Sequence, residues 1–286
     1  MKTPPFLLGG ELSVNRVGLG AMRLCAQPGN FGPFPDWEAG KRLIRRAVDL
    51  GVNFIDTAHA YGPGWNETLI GEALAGLEAH VVVATKGGVE KTAPDQVYPD
   101  GRPAQLRLRC EESLRRLGLE RIDLYQLHRP DPAVPFAESV GALVQLRTEG
   151  KIRLIGLSNV TLGQVKEALA LTPVASVQNR FNLHEREDEP VLRFCQQQGI
   201  AYLPWGPLAA KPFAAEAPLA QDQRFLEIAR TLGATAGQVA LAGLLHHAPN
   251  IVLIPGTTTL PHLEENIGAG QMTLDAAALS ALGTVV

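Results

Sequence analysis

Four ionisable side chains stand where short apolar runs give way to polar or glycine-rich turns: Asp56 and Tyr61 in NFIDTAHAYG, Lys86 in VVVATKGG, and His128 in LYQLHRPDP. A phenol, an ammonium, a carboxylate and an imidazole together suit delivery of a proton to an oxygen that gains negative charge, as a carbonyl does when hydride adds to its carbon. In water a phenol is a weak acid for that task, with a pKa of ~10. A neighbouring ammonium favours the phenolate, so Lys86 is expected to lower the Tyr61 pKa, while Asp56 keeps the lysine charged and oriented. His128 is then placed to donate a second hydrogen bond to the same oxygen. Each residue alone has a plainer reading: Asp56 as a helix cap, Tyr61 as an aromatic anchor in a turn, Lys86 reaching to a rim, His128 as a satisfied core histidine. Their arrival at one rim is what gives the set weight.

For the four to meet, three separate strands must deliver them to one place. A short apolar run, a turn and a segment of helical period recur along nearly the whole chain. Strands are expected at 16–20, 53–56, 81–86, 123–128, 153–158, 176–179, 201–205 and 252–255. Such continuous apolar runs fit strands covered on both faces, as in a parallel sheet. Between them, residues 37–50 place Leu43, Ile44, Ala47, Val48 and Leu50 on one stripe and stop at Gly51; residues 103–117 open on Pro103 and stop at Gly118; residues 137–149 stop at Gly150; and Thr161 is an N-cap for LGQVKEALAL. Eight strand–helix units predict an α/β chain, a (β/α)8 TIM barrel formed as one domain over 1–286. Residues 6–14, turning at Gly9 and Gly10, read as a β-hairpin that plugs the barrel bottom, and 274–282 as a short C-terminal helix. A doubly wound sheet would place Gly-x-Gly-x-x-Gly after its first strand, whereas Gly18-Leu19-Gly20-Ala21-Met22-Arg23 lacks the third glycine. Barrel active sites lie at the C-terminal ends of the strands, where these four residues fall.

Composition narrows the partners. Net charge is −3 and the basic residues are scattered, which excludes a nucleic-acid footprint. No stretch approaches the ~20 apolar residues of a membrane span, and the first residues hold no signal-peptide core. The three cysteines, Cys25, Cys110 and Cys195, are far apart and lack Cys-x-x-Cys spacing. They are expected to be buried packing in a reducing cytoplasm, with no disulfide framework and no metal site.

The chain resembles the aldo-keto reductases over essentially its full length. The motifs that carry the likeness are GLGAMRL, NFIDTAHAYG, VVVATKGG, LYQLHRPDP, IRLIGLSN, SVQNRFN and IPGTTTLPHLEEN. The resemblance implies reduction of an aldehyde or ketone by NADPH, with NADH as the alternative, through a tetrad of Asp56, Tyr61, Lys86 and His128. It also implies a nicotinamide cofactor lying across the barrel mouth. Ser158, Asn159 and Gln178 are expected at the carboxamide, Trp205 on the nicotinamide face, and Glu265 with Asn266 at the adenine. Gly20, Ala21, Met22, Asp56, Pro207 and Leu208 are expected along the remainder of the cofactor.

Two departures stand out. Many relatives carry a lysine and an arginine at the positions of Gly256 and His262, where both grip the 2′-phosphate of NADP. Thr257, Thr258, local backbone N–H groups and His262 are left for that task, more weakly than an arginine fork. The chain also stops soon after its last helix, so the substrate walls are expected from other loops: Phe31, His59, Trp65 and Arg129, the last standing where many relatives have tryptophan. The pattern is similar to bacterial members that include pyridoxal reductases, which makes pyridoxal one expected substrate and a small carbonyl compound the general one. Two other readings keep the fold: a channel-subunit-like binding protein, and an isomerase or aldolase using Lys86 as a Schiff base. The second conflicts with a lysine held charged by Asp56. Oligomeric state is not read from these residues.

Overall fold

The computed structural model describes residues 3–77, 81–208 and 221–284. At its start, β1 (Phe6–Leu8) and β2 (Leu12–Val14) pair antiparallel. Leu8 and Val14 are buried in one cluster with Phe54, Ala84, Leu124, Leu154 and Val252, residues from five different barrel strands. Glu11 pairs with Arg153 at 2.9 Å, and Asn15 N–H donates to Asn53 Oδ1 at 2.7 Å. Both partners lie at strand N-termini, so the hairpin plugs the bottom of the barrel as expected.

The barrel runs β3 (Leu19–Gly20), α1 (Trp37–Asp49), β4 (Phe54–Asp56), α2 (Trp65–Leu74), β5 (Val82–Gly87), a hairpin of β6 (Val89–Ala93) and β7 (Gln96–Pro99), α3 (Pro103–Leu117), β8 (Ile122–Leu127), α4 (Phe136–Thr148), β9 (Ile152–Ser158), α5 (Leu162–Leu171), β10 (Ser176–Gln178), α6 (Glu189–Gln197) and β11 (Ala201–Tyr202). Then come α7 (Gln223–Leu232), α8 (Ala236–His247), α9 (Leu260–Gly268) and α10 (Ala276–Ala281). Seven strands form one parallel sheet in the order β3-β4-β5-β8-β9-β10-β11. The eighth run is not a regular strand; it joins through single bridges at Ile251 and Leu253. Tyr202 N–H donates to Asn250 O at 2.8 Å on one side, and Gly18 N–H to Leu253 O at 2.8 Å on the other, so the run closes the sheet on itself. Closure compresses the strands here. At Gly20 an added Cβ would fall 2.3 Å from the Ile254 carbonyl oxygen, so the seam between first and eighth strands admits only glycine.

Local sequence explains the helices. Asp36 caps α1 by accepting from Ala39 N–H at 2.9 Å, and the helix buries Leu43, Ile44 and Ala47. Thr161 and Gln164 form a reciprocal capping box on α5. Two features went unread in the sequence. The β6–β7 hairpin follows β5 directly, and its second strand is largely exposed, so no hydrophobic alternation marks it. An additional helix, α7, precedes α8. The three cysteines are buried and unpaired, and burial pushes each thiol up to about 12. Among the described residues no single helix is long and apolar enough to cross a membrane, and no group of side chains is arranged to hold a metal ion.

Candidate active site

Asp56 ends β4, Tyr61 follows in the loop to α2, Lys86 lies near the end of β5, and His128 follows β8 directly. The parallel register therefore brings all four to the same end of the barrel. Lys86 is fully buried, and its ammonium donates to Asp56 Oδ1 at 2.6 Å, to Thr57 O at 2.8 Å and to Tyr61 Oη at 3.5 Å. Its three protons thus have three oxygens. Asp56 Oδ2 accepts from Gln126 Nε2 at 3.0 Å and from Gln178 Nε2 at 2.9 Å. Gln126, fully buried, was missed by sequence reasoning; its one signal was a polar residue interrupting the apolar run of LYQL. The Tyr61 and His128 rings meet edge to face with centroids 5.8 Å apart.

Burial by itself would push Lys86 down, but the Asp56 charge and the hydrogen bonds to Asp56 and Tyr61 overcome it and raise the ammonium above its ordinary range. For Tyr61, burial raises the phenol, and the charge and hydrogen bond of Lys86 oppose it without cancelling it. The expectation that Lys86 brings the phenol below its ordinary pKa is therefore corrected. Desolvation is the larger force, and Tyr61 keeps its proton across the neutral range. His128 is held well below the usual histidine value by burial, then by the charges of Lys86 and Arg129. Its imidazole is neutral at pH 7. Its Nδ1 is buried with no partner among the described residues, which leaves Nε2 as the nitrogen able to meet a ligand.

Tyr61 and His128 open onto a cavity of about 290 Å³. The expected cofactor residues divide sharply around it. Gly20, Met22, Asp56, Ser158, Asn159, Gln178, Trp205, Pro207, Leu208 and Gly256 line it, together with Arg129 and the unforeseen Arg23. Ala21 is fully buried behind the wall, its N–H donating to the Asp56 carbonyl at 2.8 Å. Thr257, Thr258, His262, Glu265 and Asn266 lie beyond the cavity, with Thr258 and His262 exposed. Glu265 and Asn266 stand well inside α9, which begins at Leu260 after Thr259.

Three of the four expected substrate residues are not brought to the cavity. Phe31 and Trp65 are exposed, Trp65 resting edge-on against Trp37. His59 is buried and turned toward α3: its Nδ1 lies 2.8 Å from Arg116 Nη2, and Glu90 and Glu112 are within 4 Å. It belongs to a network fastening the loop that carries Tyr61. Glu67, fully buried, accepts from Arg116 Nε at 2.8 Å and from Thr85 Oγ1 at 2.5 Å; Asn66 accepts from Thr57 Oγ1 at 2.6 Å and donates to the carbonyls of Ala21 and Leu24, each at 2.8 Å. Asn66 and Glu67 thereby tie the ends of the first three barrel strands together on either side of Tyr61 and Lys86. A helical Asn-Glu pair carries no sequence signal for such a role.

The polar groups of the wall suit a planar carboxamide. Gln178 has committed Nε2 to Asp56, and its Oε1 takes no hydrogen bond among the described residues, leaving an acceptor. Ser158 Oγ accepts from Asn159 Nδ2 at 3.0 Å, which leaves its hydroxyl proton to donate. One acceptor beside one donor matches an amide NH2 beside its C=O. Asn159 is fixed at φ 56° by bonds from its Nδ2 to His128 O and from Trp205 Nε1 to its Oδ1, so the indole plane is set by the same residue.

Residues 16–285 match the sequence profile of the Aldo/keto reductase family. The chain is 42% identical over 266 residues to an uncharacterized oxidoreductase of Schizosaccharomyces pombe, covering 93% of this chain and 84% of that one. It is 38% identical over 289 residues to pyridoxine 4-dehydrogenase of Escherichia coli, covering 99% and 98%. The solved structure of an aldo-keto reductase from Klebsiella pneumoniae in complex with NADPH superposes with a TM-score of 0.84 at 29% identity, over 99% of this chain and 94% of that one. With the closed parallel barrel, the bottom hairpin and the strand-end site, these matches establish that the chain belongs to the aldo/keto reductase family of oxidoreductases.

Proposed function

We propose that this oxidoreductase reduces the carbonyl group of a small aldehyde or ketone with NADPH, Tyr61 supplying the proton. The observation that carries the reading is the Asp56–Lys86–Tyr61 chain of contacts at 2.6 and 3.5 Å, buried beside the neutral His128. A bound nicotinamide supplies the hydride. Tyr61 Oη then gives its proton to the carbonyl oxygen, and Lys86 stabilises the phenolate that forms, which is where its charge acts. Asp56 keeps Lys86 charged and aimed; Gln126 and Gln178 keep Asp56 aimed. His128, neutral, donates to the same oxygen from Nε2 without competing for the proton. Ser158 and Gln178 orient the carboxamide, and Trp205 covers the ring. A phenol above its ordinary pKa is a resting acid that does not leak its proton to water, and Lys86 counts most once charge has developed.

The complexed Klebsiella structure supports NADPH, although Gly256 and His262 remove two fixed charges. Arg23 offers a replacement. It lines the cavity, and its Cγ lies 3.9 Å from where a Cβ on Gly256 would stand, so a cation on a flexible stem adjoins the position where the family's lysine is missing. The likeness to pyridoxine 4-dehydrogenase supports pyridoxal as a substrate to try first. The test is NADPH oxidation with an aldehyde panel by the wild type and Tyr61→Phe. The variant should lose about a hundredfold or more of kcat while still quenching tryptophan fluorescence on NADPH addition. Unchanged turnover would remove Tyr61 from the mechanism, and absence of turnover in the wild type would favour the binding-protein reading.

A further inference from the structure

The wall of the catalytic cavity carries three charged side chains, Asp56, Arg23 and Arg129. Asp56 is spent on Lys86 at 2.6 Å. Arg23 and Arg129 have no ion-pair partner and no side-chain hydrogen bond among the described residues, so the cavity is left with uncompensated positive charge. The two guanidinium groups stand at different places. Arg23 adjoins Gly256 on the strand-eight side. Arg129 follows His128 in the chain, and its charge is one of the forces that keep the imidazole neutral. The turn that holds both residues is pinned by the Asn159 Nδ2 bond to the His128 carbonyl at 3.0 Å.

An uncharged carbonyl compound gains little from such a neighbour. An anionic oxygen group a few atoms from the C=O gains a charge-assisted, bidentate partner, in a partly apolar cavity where water competes poorly. We propose that Arg129 selects carbonyl substrates bearing an anionic oxygen near the reacting carbon, and holds that oxygen while Tyr61 and His128 engage the carbonyl. The inference rests on the carbonyl-reductase reading and names its substrate class. Two sources share the chemistry: an oxo acid, through its carboxylate, and an aromatic aldehyde with an ionised ring hydroxyl beside the formyl group, as in pyridoxal.

The test measures kcat and KM at saturating NADPH for two matched pairs, 3-formylbenzoate against 3-formylbenzamide and pyridoxal against 3-deoxypyridoxal. The wild type is compared with Arg129→Met and Arg129→Lys. The wild type should prefer the anionic member of at least one pair by about tenfold or more in kcat/KM, roughly what one charge-assisted hydrogen bond supplies. Arg129→Met should bring that ratio to about one, chiefly by raising KM for the anion, and Arg129→Lys should recover part of it. The pair that responds identifies the source. A wild-type ratio near one in both pairs overturns the proposal, as does a ratio that Arg129→Met leaves intact. A NADPH affinity weakened about tenfold in Arg129→Met, with both members of a pair slowed alike, assigns the guanidinium to the cofactor and overturns it too. Wild-type turnover of the neutral members with no preference sinks this inference alone, whereas no turnover of any aldehyde sinks the carbonyl-reductase reading with it.

Discussion

At one end of the cavity, Lys86 and Asp56 are buried and every ammonium proton and carboxylate oxygen has a partner within the protein. At the other end, Gly256, Thr258 and His262 are exposed and make no comparable contacts among the described residues, and the cation that adjoins Gly256, Arg23, arrives from a different loop. The first region is over-determined: moving any member leaves a buried polar group without a partner, so the geometry changes only as a unit. The second is open and solvated, where charges are worth less and can be supplied from several positions. On the proposed function, a fixed proton donor would need the first, and recognition of a phosphate, which needs only positive charge and N–H groups nearby, would tolerate the second.

Breaking the first region should have the largest effect. Lys86→Met strands Asp56 as an unpaired buried charge, a loss of roughly 3–5 kcal/mol and about 10 °C in Tm, together with most of kcat. Pairing it with Asp56→Leu should return much of the Tm and none of the activity. Thermal melts and steady-state rates on the two variants check this; a double variant as unstable as the single one would show that the pair is not the source of the strain.

The second region should give smaller, graded changes. Arg23→Met is expected to weaken NADPH binding about tenfold and NADH binding less. His262→Arg should raise the preference for NADPH over NADH about tenfold, read by fluorescence quenching with each cofactor. Gly256→Lys should gain less than His262→Arg, because its Cβ would lie 2.9 Å from the Gly20 carbonyl oxygen across the barrel seam. Equal gains from both would mean the seam yields, contrary to its glycine-only packing.

The smallest effect concerns pH. His128 stays neutral in the folded site well below its ordinary value, whereas the unfolded chain takes up that proton near pH 6.5. The unfolded state therefore binds more protons in this window, so this contribution to stability is complete above about pH 6.5 and is lost as pH falls through it. His128→Asn should flatten the decline in Tm between pH 6.5 and 5 by a degree or two, roughly the share of one titrating group in a chain of this size. An identical slope in both proteins would place the acid sensitivity elsewhere, with the buried His247 as the next residue to test.

Much of the frame was legible because it is written locally. Thr161, Pro103 and Gly118 mark helix ends through backbone chemistry that acts over one turn, and the apolar runs mark strands covered on both faces. The meeting of Asp56, Tyr61, Lys86 and His128 was legible because a parallel barrel sends every strand end to one rim, so position along the strand suffices. His59, Phe31 and Trp65 do not line the cavity, because membership of a loop at the barrel mouth says nothing about which way a side chain turns. The polar β6–β7 hairpin left no periodic trace.

What the sequence determined by itself, then, is the order of the barrel strands and the identity of the residues at each strand end. Tertiary structure alone decided the balance at Tyr61, where burial outweighs the adjacent ammonium, since desolvation depends on everything packed around the phenol and not on its neighbours in the chain. It also decided that Gln126 and Gln178 share one carboxylate oxygen, and that Arg23 stands beside Gly256 from the far end of the chain. These pairings are made by barrel closure, which brings the first and eighth strands side by side although more than two hundred residues separate them.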